Sequence, residues 1–116
     1  MLTDYERRYI IELIEIRRQR LRNIMNNLFQ SYVKYVILAY SKPPAASNCY
    51  IALRELDTVL QQIETNVKNS DTKNGLLWDH ITKLLLKAKR IATNIGGETQ
   101  VIVEDLIESL NSFYKK

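Results

Sequence analysis

The sequence predicts an all-α protein, and three observations carry that expectation. Apolar residues recur at helical spacing along almost the whole chain. Only 3 Gly and 2 Pro occur in 116 residues, which favours a few long elements over a many-turned β architecture. From Asp4 there is neither Gly nor Pro until Pro43-Pro44. The expected architecture is an antiparallel helical bundle of four helices with a long first helix, or of five if that helix breaks. It fills a single domain over residues 1–116.

The first helix opens on Thr3-Asp4-Tyr5-Glu6, a capping box in which Thr3 and Glu6 satisfy each other's backbone N–H groups. Ile10, Ile14, Leu21, Ile24, Leu28, Tyr35 and Leu38 then fall on a heptad lattice whose polar members are Arg17 and Ser31. Tyr32 to Tyr40 is apolar nearly all round, whereas residues 4–22 alternate an apolar stripe with charge. Asn23, Asn26 and Asn27 are weak helix formers and mark the place for a kink. Unbroken, the helix would run ~57 Å at 1.5 Å per residue. Ser41-Lys42-Pro43-Pro44 ends it, because a residue before Pro avoids the α region.

The second helix is expected to begin between Ala45 and Asn48 and to bury Cys49, Leu53, Leu56, Leu60, Ile63 and Val67. Residues 68–75 read as a surface loop. A third helix over Leu76 to Asn94 should bury Leu77, Ile81, Leu84, Leu85, Ala88 and Ile91, and Gly96-Gly97 should stop it. A fourth, Thr99 to Tyr114, should turn Ile102, Val103, Leu106, Ile107, Leu110 and Phe113 inward.

These later helices would span ~24–33 Å, so a straight first helix should overhang by ~20 Å at its N-terminal half. That would bare Ile10, Ile11, Leu13, Ile14 and Ile16, a face too apolar for water. Either the helix breaks near Asn26-Asn27 and folds back, or a second chain covers it. The lattice crosses the Asn cluster in phase, which favours a homodimer. Ile10, Ile14, Arg17, Leu21 and Ile24 are therefore the expected oligomer or partner interface.

Residues 1–42 hold eight Lys/Arg against four acids, while 43–116 hold nine of each, so the net charge of +4 belongs to the first helix. At helical spacing Arg7 and Arg8 can meet Asp4, and Arg18 can meet Glu15, but Arg17, Arg20 and Arg22 find no carboxylate. Arg7, Arg8, Arg17, Arg18, Arg20 and Arg22 are thus the candidates for nucleic-acid phosphates, either DNA or RNA. Alanine at Arg20 and Arg22 should lower the salt dependence of such binding. The rival readings are a solvated face and salt bridges to a protein partner.

Little else carries chemistry. His80 and Cys49 are each the sole residue of their type, too few soft ligands for a zinc or haem site, so no metal or cofactor is expected. Asp79 and His80 point ~100° apart on a helix and form no dyad. Gly96-Gly97 lacks the context of a phosphate loop. Cys49 reads as a small buried hydrophobe, Trp78 as core or rim, and Glu104, Asp105 and Glu108 as a solvated acidic face. No enzyme activity and no small-molecule substrate are expected. A single Cys suits a reducing compartment, and the chain shows neither a signal peptide nor a membrane span, so a cytoplasmic setting is expected. A role on membrane surfaces is disfavoured, because the basic stripe has no Trp or Phe before Phe29. The leading expectation is a non-enzymatic homodimer that binds nucleic acid through its first helix. The alternative is an adaptor whose Ile10/Ile14/Leu21/Ile24 stripe docks on a partner protein.

Overall fold

The computed structural model describes residues 3–39, 44–69 and 76–114, with side chains over 3–30, 49–69 and 77–113. They form four helices and no strand: α1 (Asp4–Ala39), α2 (Pro44–Asn69), α3 (Leu76–Ile95) and α4 (Gly97–Tyr114). The chain is all-α.

The start of α1 follows its sequence closely. The Thr3 N–H donates to Glu6 Oε1 at 3.2 Å, and the Glu6 N–H donates to Thr3 Oγ1 at 3.1 Å. Of the two alternatives at Asn26-Asn27 the helix takes the unbroken one, and α1 runs from Asp4 to Ala39. Each Asn costs less than about 0.7 kcal/mol against Ala. Met25 is buried and Ile24 and Leu28 pack on the core, which holds the segment helical. Pro44 opens α2, where its missing N–H leaves no intrahelical bond unmade. Lys68 and Asn69 close that helix; the rest of the loop expected over 68–75, and the side chains of Tyr32 to Tyr40, lie outside the described residues. Between α3 and α4 stands Gly96 alone, at φ 77°, followed by Gly97 at φ 57°. The Gly96 N–H closes the last turn of α3 on the Ala92 carbonyl at 2.8 Å.

The helices pack in a ring. α1 lies against α2 and α4, and α3 lies against the same two. Tyr9 meets Phe113 with ring centroids 5.6 Å apart, Arg17 bonds Asp105 and Arg20 faces Glu98, so α1 and α4 run antiparallel. Phe29 meets Tyr50 and Arg18 meets Asp57 and Glu64, so α1 and α2 do too. Inside the ring Ile10, Ile14 and Leu21 join Leu53, Leu56, Leu60, Ile63, Ile81, Ile102, Leu106 and Leu110. Among the described residues the apolar stripe expected from each helix is buried or half-buried, with Ile24, Leu28, Cys49, Leu77, Leu84, Ile107 and Phe113 half-buried at its edges, while the side chains of Tyr35 and Leu38 lie outside the described residues.

The overhang lies at the end opposite to the one expected. Ile10 and Ile14 are 1% and 0% exposed, because α4 returns along the N-terminal half of α1 and covers them. Of the five residues expected to be bare, only Ile16 is. The first turn of α4 is level with Arg20, and α1 runs on from there to Ala39, ~28 Å further at 1.5 Å per residue. The molecule measures 56 × 21 × 19 Å. No helix among the described residues is long and apolar enough to cross a membrane.

Candidate nucleic-acid interface

Arg18 turns inward. Only 9% exposed, it donates from Nε to Asp57 Oδ1 at 2.8 Å, from Nη2 to Asp57 Oδ2 at 3.4 Å and from Nη1 to Glu64 Oε2 at 2.9 Å. Glu64 is itself buried, and its other oxygen lies 3.5 Å from Lys68 Nζ. Hydrogen bonding to Asp57 holds the Arg18 guanidinium above its ordinary range, against the opposing effect of burial. Burial alone would raise Glu64; its hydrogen bonds with Glu15 and Arg18 and the charges of Lys68 and Arg18 outweigh that and hold it below the usual carboxylate range. Exposed Glu15 moves the other way, raised by the hydrogen bond it shares with Glu64 and by the Glu64 charge. A phosphate reaching Arg18 would have to displace two carboxylates from a buried cation. Arg18 therefore holds α1 to α2, and does not pair with Glu15 as helical spacing suggested.

Arg17 reaches the other neighbour. Its Nη1 donates to the Leu13 carbonyl at 3.3 Å and its Nη2 to Asp105 of α4, while its buried Nε has no partner among the described residues. Asp105, expected to be merely solvated, is thus half of an interhelical ion pair. Arg20 Nη2 lies 3.6 Å from Glu98 Oε1 with both groups well exposed, a pair worth at most about 1 kcal/mol. Arg7 lies 3.8 Å from Asp4. Arg8 and Arg22 are exposed and have no ion pair among the described residues. Helical spacing finds none of the carboxylates on Arg17, Arg18 and Arg20, because they come from α2 and α4.

The expected interface stripe is occupied by the same chain. Ile10, Ile14 and Leu21 lie in the core, Ile24 is half-buried and packed on it, and Arg17 is bonded to α4.

Charge left over gathers on α3. Lys83, Lys87 and Arg90 stand at i, i+4 and i+7 on its outer face, Lys89 is beside them, and Asp79 is the sole acid of the helix. All four cations are exposed, and none is in an ion pair among the described residues. Because α3 lies across the ring from α1, this face points away from the paired arginines. Sequence reasoning missed it by summing residues 43–116, where the bases of α3 cancel against Glu98, Glu104, Asp105 and Glu108 of α4. A charge count helix by helix would have shown it.

No family model matches the chain, and no curated protein or solved structure does either. Among the described residues no group of three or more His, Cys, Asp and Glu side chains could hold a metal ion. His80 is exposed, Cys49 is half-buried, and Trp78 is half-buried against the core.

Proposed function

We propose that the protein is a non-enzymatic, cytoplasmic helical bundle with an extended first helix, which binds nucleic acid through phosphate contacts and acts as a homodimer. The observation that supports the nucleic-acid reading is the face of Lys83, Lys87, Lys89 and Arg90. Lys83 and Arg90 are separated by ~10 Å along the helix at 1.5 Å per residue. A duplex presents about six charges over that length, at one per ~1.7 Å of axis. Backbone contacts of this kind need no sequence readout. Of the first-helix arginines, Arg8 and Arg22 are exposed and in no ion pair among the described residues, and Arg20 can leave its weak pair with Glu98.

The test is duplex binding by fluorescence anisotropy over a series of salt concentrations. Lys83→Ala/Lys87→Ala/Arg90→Ala should weaken binding and lower the slope of log affinity against log salt by about 2–3, near 0.9 for each phosphate no longer neutralised. Arg17→Ala, whose guanidinium is turned to Asp105, should leave the slope alone. A slope the triple variant does not change would end this reading. The second reading, a protein-docking role for the first helix, is favoured by Phe29, exposed where α1 passes beyond α4.

A further inference from the structure

α1 carries two heptad stripes, and the chain buries one of them. Ile10, Ile14, Arg17, Leu21, Ile24 and Leu28 step by 4, 3, 4, 3 and 4 residues; the apolar ones lie in or against the core and Arg17 bonds α4. Tyr5, Tyr9, Glu12, Ile16, Gln19 and Asn23 repeat the same steps on the outer surface, and all six are exposed. Tyr9 fixes where this second stripe runs, because its ring packs on Phe113 at the edge of α4. Its far end is closed by Gln19 Nε2 donating to Asn23 Oδ1 at 3.1 Å. What remains is Tyr5, Tyr9 and Ile16, which are 79%, 45% and 50% exposed. They span ~17 Å at 1.5 Å per residue. A single exposed apolar side chain is ordinary. Three in line on one helix, two of them tyrosines, have the composition of an interface core.

We propose that this outer stripe of α1 is a self-association surface, paired antiparallel with the same stripe of a second copy about a two-fold axis level with Ile10 and Ile11. In that register Tyr5 packs on Ile16 of the second copy, Tyr9 reaches Glu12 with its hydroxyl, and Arg8 flanks the same carboxylate. The contact is isologous, so each of these occurs twice. Charge complementarity selects the occupant. Arg8 and Glu12 are exposed, and neither is in an ion pair among the described residues. One turn apart on α1, they become reciprocal partners when two such helices run in opposite directions. A parallel pairing would set Glu12 against Glu12 and Arg8 against Arg8, which is unfavourable. Glu12 stands inside the stripe, and Asp105 and Glu108 are exposed on the neighbouring α4, so a nucleic acid or an anionic membrane would meet carboxylates here. Arg8 would then serve this contact, leaving Arg22 and the α3 face to phosphates. The proposal gives a location to the homodimer proposed above and rests on that reading. It does not depend on nucleic acid.

The experiment is sedimentation velocity on the full chain over a wide range of concentration, without nucleic acid. Beside it run Tyr5→Lys/Ile16→Lys and two charge reversals, Arg8→Glu and Glu12→Arg. All four side chains are exposed in the single chain, so each variant should keep its helical circular dichroism. The expected result is a dimer for the natural chain and a halved mass for every variant. Mixing Arg8→Glu with Glu12→Arg should restore the dimer, because each then offers the charge that the other requires at both copies of the contact. A dimer that persists in the lysine variant would overturn the proposal and leave the homodimer reading standing, with its contact elsewhere. A natural chain that sediments as a monomer throughout would overturn both. Charge reversals that leave the dimer intact, or a mixture that stays monomeric, would overturn the antiparallel pairing and the proposal with it. So would a monomer that floats with phosphatidylcholine vesicles and loses that binding in the lysine variant, because the occupant would then be lipid. Duplex binding is measured separately on the α3 variants, so its failure leaves this result standing.

Discussion

Removing the guanidinium of Arg18 leaves Glu64 and Asp57 facing each other across a helix interface that excludes water from one of them. Arg18→Met is therefore expected to lower unfolding stability by about 3 kcal/mol or more in urea denaturation, mostly through the uncompensated carboxylates. Adding Glu64→Leu should restore much of that loss, as apolar replacement of a buried pair commonly does. The same cluster makes stability depend on pH. Glu64, held below the usual range, stabilises the fold above the unfolded carboxylate pKa, and this contribution disappears as pH falls through its folded value. Glu15, held above that range, binds its proton more readily folded than unfolded, so mild acid favours the fold at that site. Glu15→Gln should raise stability near neutral pH and flatten its change in mild acid; an unchanged profile would show that the two carboxyls do not act on each other. None of this was legible in the sequence. Arg18 lies 39 positions from Asp57 and 46 from Glu64, and spacing rules see no further than one turn.

Single helices were the scale at which the sequence was most readable. The capping box of α1, the Gly stop after α3 and, among the described residues, the buried stripe of each helix follow from local pattern, because each depends on residues within a turn or two. Gly96 shows how local the cause is. A Cβ there would meet nothing within 4 Å, so the expected cost of Gly96→Ala is one left-handed backbone conformation, about 1–2 kcal/mol. Thermal unfolding checks it, and Gly96→Asn should lose less. What the pattern could not show was how far the weak propensity of three asparagines would be overruled by packing of Met25 and Leu28. It also hid the basic face of α3, since opposite charges on adjacent helices cancel in a sum over sequence.

For the molecule as a whole, helix order was legible and the partners of each helix were not. Length arithmetic showed that an unbroken α1 would outrun the others, but which half stays covered depends on α4 returning antiparallel beside it. Ile14 thereby changes meaning. As an interface residue its replacement by Asp would separate two chains; at 0% exposure inside the ring it should unfold one. Circular dichroism of Ile14→Asp should show lost helix, and Ile14→Ala should cost about 2–5 kcal/mol. A folded, monomeric Ile14→Asp protein would contradict the packing of α1 against α2 and α4.

Closure of the ring by α4 also sets the order in which the protein becomes safe from aggregation in the cell. Ile10, Ile14 and Leu21 leave the ribosome with α1, but α4 is synthesised after α2 and α3. At about 5–20 residues per second the wait is roughly 5–20 s. Through that interval the nascent chain carries an apolar ridge with one wall missing, a natural target for chaperones. Pausing translation before Gly97 should prolong chaperone contact with this chain more than pausing after Tyr114.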